Sequence, residues 1–499
     1  MEKSPDQIST ADIAKLAGVS PAAVGNWKKR AADFPAPTGK TQRGPLYDRA
    51  EVLAWLESNA KAGGGGTDER DVRGLPEHLR GHLRPEDAVV TVLVLLALRS
   101  EAHDAWTRLT SARPGTVSGT LVETVSQSLP FATELFPPLG ADGIGLVELI
   151  ESIGRLHPEV IPRSADILLD LLFEIRGSTG GDNELPEGIR RVMLGIVGAG
   201  KTVLDPSCGA GRLLVDAQRI GSQDTTSLYG QEPDSWARAL AQLNLRIHGM
   251  SGELGSGNAL LADSWQGKAF DRVICNPPWG LRLLDADEMT DDPRWVWGEP
   301  GAGDWSMAWV QHCLYHLNDT GRAAIALPPK ALFEQGRSAR IRQRIVKAGL
   351  LDSVLALPPG SMLSTSIAPV ILIFDKGRGL VDGKPAPTLF VDAARLVGPE
   401  SRRRRDLDQG VVRVLQDNYW RWRRSGLTTD RQFNEASFDE IATNGFDLSP
   451  QRYLRPAVSA LDVNHLERVR SRLNQQLSTM LDECAVNDSQ LRAMLEEEG

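Results

Sequence analysis

The sequence predicts an α/β fold, in which helices cover a sheet, preceded by a helical region and a small N-terminal domain. Three observations support this prediction. After Lys201 short β-branched runs alternate with helical stretches, residues 75–197 show helical periodicity without strand-like alternation, and glycines at 63–66 interrupt the chain before both. Alternating strands and helices are typical of a sheet with helices on its faces.

The length and charge of the chain limit the possible functions. With 499 residues the chain exceeds what one compact core usually holds, so two or three domains are expected. Hydrophobic residues make up 41% and charged residues 24%, which is typical of a folded protein. The formal net charge of −9 argues against a surface that coats nucleic acid as a whole, so any such contact has to be local.

Cysteine spacing and hydropathy give the expected compartment. The four cysteines lie far apart with no CxxC pair, which predicts neither a disulfide framework nor a structural zinc site. No hydrophobic leader opens the sequence, and the longest apolar run, at 88–98, is too short to span a bilayer and predicts a buried helix. We therefore expect a cytoplasmic protein with no membrane contact.

The first residues show a helix-turn-helix pattern. Apolar residues such as Ile13, Val24 and Trp27 follow helical spacing, Gly18 interrupts them, and Ser20 is placed to cap the second helix. A further helix is expected after Asp48, its predicted cap, with residues 52, 53 and 56 on one face. The segment resembles the small helix-turn-helix domains of MerR regulators and excisionases, which implies DNA binding. The stretch from 26 to 49 carries a net charge of +4.

Six short runs after Lys201 are predicted to be strands: 202–204, 227–229, 272–275, 323–327, 353–357 and 370–374. Open sheets bind ligands where loops leave the carboxyl ends of their strands. The first run enters a glycine-rich turn, Asp205 to Gly211, that lets a small polar ligand approach the backbone. The second predicted strand continues from 227–229 to its end at Glu232, where an acidic side chain can bind both hydroxyls of a ribose.

The most informative motif is Asn276-Pro277-Pro278-Trp279, which follows the third run. The exocyclic amine of adenine or cytosine is a poor nucleophile because its lone pair is delocalised into the ring. The Asn276 side-chain oxygen and the Pro277 carbonyl can accept the two hydrogens of such an amine, and the prolines fix the backbone between them. Trp279 offers a face on which an extruded base can stack.

Together these motifs make the sequence similar to the N6-adenine DNA methylase family, typified by the modification subunit of type I restriction-modification systems. The similarity extends from about Ala165 to Leu454 and includes further matching segments at 230–249, 321–328, 332–341, 351–358 and 445–453. It implies a class I S-adenosylmethionine-dependent methyltransferase fold, Rossmann-like, with a mostly parallel seven-stranded sheet. It also implies methyl transfer to N6 of adenine in DNA, in a restriction-modification or related defence system.

The resemblance assigns the site residues position by position. The residues expected to bind S-adenosylmethionine are Pro186, Asp205, Pro206, Cys208, Gly209, Gly211, Glu232, Asn258 and Ala259. The residues expected to be catalytic are Asn276, Pro277, Pro278 and Trp279, and no metal is expected. Two positions depart from the family pattern, because Leu185 replaces a threonine before Pro186 and Asn258 replaces an acidic residue. Both changes predict altered cofactor affinity.

The predicted division of the chain follows from these patterns. We expect a helix-turn-helix domain at 1–60, a flexible glycine-rich linker at 61–74, a helical domain at 75–197, a methyltransferase catalytic domain at 198–400, a C-terminal family extension at 401–460 and a helical tail at 461–499. The tail has leucines at helical spacing, typical of an amphipathic helix that packs on a partner or on its own domain. Double-stranded DNA is the expected partner, with a specificity subunit and a restriction subunit as further partners that the resemblance implies.

Several alternatives remain at this stage. N4 of cytosine or a protein glutamine could replace N6 of adenine, since the same loop serves each of these amino groups. A DNA-binding regulator or scaffold with a decayed methylase domain is the rival from another class. Tryptophans in the segment from 283 to 305 form either a lid or base-stacking surface, or a plug on the helical domain. The arginines at 402–405 with Trp420 and Trp422 either follow phosphates or face solvent.

Overall fold

The structure, a computed structural model, describes most of the chain between Glu69 and Leu454. The described ranges are 69–137, 139–140, 143–177, 184–221, 226–279, 291–301, 305–362, 367–397, 406–426 and 431–454, with scattered residues from 7 to 55 and from 470 to 478. The glycine run, the arginines at 402–405, Cys484 and most of the C-terminal tail lie outside these residues.

The N-terminal residues form a small sheet beside short helical stretches. Its strands are β1 (Gln7–Ser9), β2 (Gly39–Thr41) and β3 (Gly44–Asp48), and β3 pairs antiparallel with both others. Val24, Trp27, Val52 and Trp55 are buried in one cluster. The Asp48 carboxylate accepts a hydrogen bond from the Glu51 backbone N–H at 3.0 Å, as expected of a helix cap. Gly18 and Ser20 lie outside the described residues, so the helix-turn-helix remains a prediction.

A bundle of helices follows, and its centre is one long apolar helix. The helices are α1 (Glu69–Gly74), α2 (Pro85–Glu101), α3 (His103–Thr110), α4 (Val117–Ser128), α5 (Leu146–Gly154) and α6 (Ile161–Gly177). Every residue from 88 to 98 is buried, as predicted for the apolar run. Within the described residues, no helix combines the length and apolar character that crossing a bilayer requires.

Nine strands form the central sheet. Those in the first part of the chain are β4 (Thr202–Asp205), β5 (Ser227–Glu232), β6 (Gly252–Ser256), β7 (Phe270–Cys275) and β8 (Leu317–Leu327). The others are β9 (Leu351–Ala356), β10 (Val370–Asp375), β13 (Thr388–Asp392) and β14 (Phe433–Ala436), while β11 (Leu380–Val381) and β12 (Lys384–Pro385) form a separate hairpin.

The sheet has the order β14-β13-β9-β10-β8-β7-β4-β5-β6. Strand β10 is antiparallel to β8 and β9, β14 is antiparallel to β13, and the remaining neighbours are parallel. The predicted α/β fold with a mostly parallel sheet is confirmed, and all six strands predicted from the sequence are present. The expected seven strands are the neighbours β9-β10-β8-β7-β4-β5-β6. Two further strands, β13 and β14, are added beside β9 and bring the sheet to nine.

Helices cover both faces of the sheet. They are α7 (Glu187–Val197), α8 (Arg212–Ile220), α9 (Ser235–Ile247), α10 (Trp305–Tyr315), α11 (Arg337–Lys347), α12 (Gln409–Ser425) and α13 (Phe438–Thr443). Leu240 and Leu243 of α9 pack into the core of the helical bundle, which joins that bundle to the sheet.

Helix α7 packs on α12 although more than two hundred residues separate them in the chain. Trp420 Nε1 donates a hydrogen bond to the Gly195 carbonyl, and Gln416 Nε2 donates one to the Arg191 carbonyl, both at 2.8 Å. A Cβ added at Gly195 would lie 2.0 Å from the Gln416 amide, so a side chain here would displace that amide. The core therefore crosses the predicted divisions at 197 and 400, which themselves remain predictions.

Candidate active site

A cavity of about 700 Å³ lies beside the carboxyl ends of β4, β5 and β7. The sequence-predicted residues that line it are Asp205, Pro206, Cys208, Gly209, Glu232, Asn258, Ala259, Asn276 and Pro278. Pro186, Gly211, Pro277 and Trp279 do not line it, although each adjoins a residue that does. The structure thus brings most of the predicted site together at the edge where the strands end.

The glycine-rich turn after β4 requires glycine at two positions. Gly209 and Gly211 adopt positive φ angles of 51° and 72°, which side chains with a Cβ rarely adopt. A Cβ at Gly211 would also lie 3.2 Å from Ala241 of α9, so this glycine permits close helix packing. Asn244 of the same helix donates a hydrogen bond to the Ala210 carbonyl at 3.0 Å and holds the turn in place.

Glu232 connects the glycine-rich turn after β4 to the turn that follows β5. Its carboxylate accepts hydrogen bonds from the backbone N–H of Gly209 and of Asp234, each at 3.1 Å. Burial nevertheless raises the pKa of Glu232 above its ordinary value. A carboxylate oxygen can accept two hydrogen bonds and each oxygen of Glu232 accepts one, so the group retains capacity for hydroxyl donors in the cavity. This arrangement fits the ribose-binding role expected from the sequence.

Asp205 is the most deeply buried acid of the site, with 1% of its surface exposed. Burial, together with the negative charges of Glu232 and Glu184, raises the pKa of Asp205 to about 8, although the Ser207 backbone N–H donates to it at 3.1 Å. A carboxyl group with such a pKa responds strongly to any positive charge brought into the cavity.

Gln231 positions the turn that carries Asn258, a role that the sequence did not reveal. Its side chain is fully buried, and its Nε2 lies within 3.1 Å of the carbonyls of Ser256, Gly257 and Ala262. Its Oε1 accepts a hydrogen bond from the Ser264 N–H. Within this turn the Asn258 side chain accepts from the Leu260 N–H at 3.0 Å, so an amide occupies this position without disturbing the turn.

A buried polar network supports the same turn from behind. Arg294 donates hydrogen bonds to the carbonyls of Ala259 and Leu260 and to Nδ1 of His312. Asp263 and His316 pair at 3.0 Å nearby. Asp263, His312 and His316 bring together atoms of the types that bind metals. The Arg294 guanidinium, however, occupies one nitrogen of His312 and adds a positive charge, which disfavours a cation there.

The Asn276–Trp279 loop enters the cavity from β7. Asn276 and Pro278 line the cavity, whereas Pro277 is buried between them. Trp279 is half-buried and packs against the core cluster on the face of α7, and in the described part of the chain its indole nitrogen has no hydrogen-bond partner. Its role as a stacking surface for a base therefore remains a prediction.

Several aromatic residues that the sequence left open prove to be packing residues. Trp295 belongs to the core cluster around β7, β8 and α10, and Trp297 and Trp305 pack against it, so they form a plug on the central sheet rather than on the helical bundle. Trp422 is also buried and donates to Glu435. Trp309 of α10 lines the cavity, a position that no motif indicated.

Arginines and acidic groups from the helical side complete the cavity wall. Leu185 lines the cavity, and its carbonyl accepts a hydrogen bond from Arg190, which in turn pairs with Asp216 at 2.7 Å. Arg212 is 5% exposed and pairs with Asp170. Arg190 lies outside any short motif, and Arg212 follows the glycine turn without belonging to its pattern, so sequence reasoning missed both.

Comparisons with known proteins agree with this geometry. A family model described as "N-6 DNA Methylase" matches residues 166–460, almost the range expected from the sequence. The methylase subunit of the type I restriction enzyme MjaIX from Methanocaldococcus jannaschii is 29% identical over 352 residues, covering 66% of this chain and 62% of the relative. The HindI methylase subunit from Haemophilus influenzae is 29% identical over 307 residues, covering 58% of this chain and 66% of the relative. The matches thus cover less than two thirds of either relative's length.

Solved structures show the same fold. The methyltransferase subunit of a type I restriction-modification system from Streptococcus thermophilus superposes with a TM-score of 0.60 at 19% identity, covering 89% of this chain and 91% of that one. A structure reported for the complex assembly of the type I R-M system gives a TM-score of 0.61 at 17% identity, covering 86% and 98%. The fold is that of class I methyltransferases, and by the match over more than half of its length the chain belongs to the N-6 DNA methylase family.

Proposed function

We propose that this protein transfers a methyl group from S-adenosylmethionine to N6 of adenine in DNA, as part of a restriction-modification system. One observation carries the proposal: the Asn276–Trp279 loop opens into the same cavity as the glycine turn and Glu232. An acceptor for an exocyclic amine thereby shares one cavity with a nucleoside-binding turn. Family membership and the names of the relatives, which are type I methylase subunits, support the same reaction.

The cavity fits the proposed cofactor. Its volume of about 700 Å³ falls within the range of sites for ligands of this size. Gly209 has no atom within 4 Å of the place a Cβ would take, so a ligand can approach its backbone. Asp205 and Glu232 suit a ligand that carries a positive charge. We therefore assign the cofactor to the glycine turn, Glu232 and the Asn258 turn.

The residues of the loop account for activation of the amine. When bound, S-adenosylmethionine supplies an electrophilic methyl group. The Asn276 side-chain oxygen and the Pro277 carbonyl each accept a hydrogen bond from the amine. These two hydrogen bonds favour the tetrahedral nitrogen that attack on the methyl group requires. Trp279 provides the stacking face for the extruded base. None of these groups needs to act as a strong base, because the amine loses its proton only after it has become cationic.

Methyl transfer to unmethylated DNA tests the proposal. Purified protein is incubated with labelled S-adenosylmethionine and genomic DNA, and the modified nucleoside is identified by mass spectrometry. We expect N6-methyladenine. N4-methylcytosine would reassign the base within the same mechanism. Cofactor binding without transfer to either base, also after addition of a specificity subunit, would favour the DNA-binding scaffold.

Cofactor binding should depend on pH through Asp205. A positive ligand lowers the raised pKa of this group, so binding releases a proton and the apparent Kd falls as the pH rises from about 6 to 8, by up to roughly tenfold per pH unit. The same shift makes the free protein less stable as the pH rises through this range, because folded Asp205 still holds its proton where the carboxyl of the unfolded chain is already ionised. Calorimetric titration at several pH values measures both Kd and proton release.

The control for this pH effect is Asp205→Asn, which cannot ionise. Its Kd should show little pH dependence in the same range. If the wild-type Kd stays constant from pH 6 to 8, or if the variant follows the wild type, Asp205 is not the group that titrates.

We further propose that the N-terminal residues bind DNA and that a specificity subunit and a restriction subunit assemble with this chain. The buried cluster around Trp27 and Trp55 provides a core for the predicted helix-turn-helix. Lys28 lies 4.6 Å from the ring centre of Tyr47, which ties the second helical stretch to β3. The type I relatives support the proposed subunits.

A further inference from the structure

Helix α11 has an unusual concentration of positive charge. Its eleven residues include five basic and no acidic side chains, in a chain whose formal net charge is −9. Arg337, Arg340 and Arg344 recur at i, i+3 and i+7, so they lie on one face of the helix. All three are exposed and line a groove of about 250 Å³, whose opposite wall consists of Trp297, Gly298 and Glu299.

The stability of the helix does not explain these arginines. Arginine at the first position of a helix opposes the helix dipole, and like charges one turn apart repel each other. Arg342 of the same helix is different, because it is buried and donates to the carbonyl of Phe446 at 2.8 Å. Among the described residues, the side chains of Arg337 and Arg340 form neither a hydrogen bond nor an ion pair. An anionic ligand could pair with the guanidinium groups of both Arg337 and Arg340.

The groove is preformed by its neighbours. Arg344 donates a hydrogen bond to the Trp297 carbonyl at 3.0 Å, which fixes that guanidinium against the opposite wall. Gln311 of α10 bonds both to the Trp297 N–H and to the Gly298 carbonyl, so the wall is anchored to the sheet. The two remaining arginines therefore face a wall that is held in position.

The groove also lies next to the active site. Helix α11 follows β8, which is parallel to β7, so the N-terminal end of α11 lies towards the edge where the cavity opens. Arg294, only three residues before Trp297, bonds to the carbonyl of Ala259 in the cavity wall. Three residues of chain span at most about 10 Å, so the groove wall belongs to the segment that supports the cavity wall. Duplex DNA carries one phosphate charge per about 1.7 Å of its axis, so a duplex whose nucleotide enters the cavity places further phosphates over the neighbouring surface.

We infer that Arg337 and Arg340 bind the phosphate backbone of duplex DNA beside the nucleotide that enters the cavity. The inference rests on the proposed function and assigns it a second contact surface outside the cavity. Because phosphates carry no base identity, this surface would contribute affinity and orientation rather than sequence preference.

The test compares the double variant Arg337→Gln/Arg340→Gln with the wild type in full-length protein. Affinity for an unmethylated duplex is measured over a series of salt concentrations. We expect Kd to rise several-fold at low salt and the slope of log K against log salt to become less steep by about 1.8, or 0.9 per lost phosphate contact. Affinity for S-adenosylmethionine should not change, and the thermal midpoint should not fall.

Arg108→Gln/Arg113→Gln is the matched control. It removes the same charge from exposed residues of the helical bundle that line neither the groove nor the cavity. Equal effects of the two double variants would show that only net charge matters and would overturn the inference, as would a groove variant with the wild-type slope. If one of these two results is found while the wild-type protein methylates DNA, the proposed function stands and only the groove assignment fails. Absence of both DNA binding and transfer in the wild type, also after addition of a specificity subunit, would reject both.

Discussion

Replacing Asn276 with alanine is expected to reduce kcat for methyl transfer by at least about 10² to 10³, the usual effect of removing one preorganised hydrogen-bonding group from a reacting centre. Asn276 lines the cavity directly after β7 and is the only side-chain acceptor in the Asn276–Trp279 loop. Its loss leaves the amine with the Pro277 carbonyl alone. Single-turnover transfer to DNA, with equilibrium binding of S-adenosylmethionine measured separately, tests this effect.

Asn276→Asp provides the matched control, since it retains an acceptor oxygen at the same position. We expect its rate to lie between those of the wild type and Asn276→Ala, while all three proteins bind the cofactor with similar Kd. Equal rates for the wild type and Asn276→Ala would mean that the side chain does not hold the amine. Loss of cofactor binding in the alanine variant would instead indicate a disturbed cavity.

Replacing Asp352 with alanine should lower the free energy of unfolding by about 3 to 5 kcal/mol, the typical effect of removing one partner from a buried charge network. Asp352 is fully buried in β9 and accepts hydrogen bonds from Arg378 at 3.0 Å, Arg423 at 2.7 Å and the Tyr419 hydroxyl at 2.8 Å. Without this carboxylate, the partly buried guanidinium groups of Arg378 and Arg423 lose their fully buried counter-charge. Denaturant unfolding followed by tryptophan fluorescence measures the loss.

Glu77→Ala is the comparison for this stability prediction. Glu77 pairs with Arg80 at 3.2 Å, but both side chains are largely exposed, so the pair contributes at most about 1 kcal/mol. If Asp352→Ala and Glu77→Ala destabilise the protein equally, the buried network does not hold α12 on the sheet as the contacts suggest.

The sequence predicted the local part of this structure well. The glycine turn, Glu232 and the Asn276–Trp279 loop each occupy a few consecutive residues, and the strands before the glycine turn and the loop contain β-branched side chains. Their backbone requirements are therefore visible in short windows. Apart from Pro186, Gly211, Pro277 and Trp279, the residues assigned by resemblance line one cavity.

The parts that escaped prediction depend on contacts between distant residues. Strand β6 contains two glycines and no β-branched residue, and it is recognisable only through its pairing with β5. Strand β14 has four residues and forms against β13, about forty positions earlier. Gln231 looks like any polar residue until the turn at 256–264 folds around it. The residue pattern within one segment does not predict contacts with residues so far away in the sequence.

The packing of α7 on α12 has a consequence for how the protein is made. Helix α7 leaves the ribosome before the sheet exists, whereas Gln416 and Trp420, which cover it, come more than two hundred residues later. At 5 to 20 residues per second, this interval lasts roughly 10 to 50 s. During that time the apolar face of α7 has to be shielded by a chaperone or by transient contacts. The nascent chain is thus exposed to aggregation long after its first helices have folded.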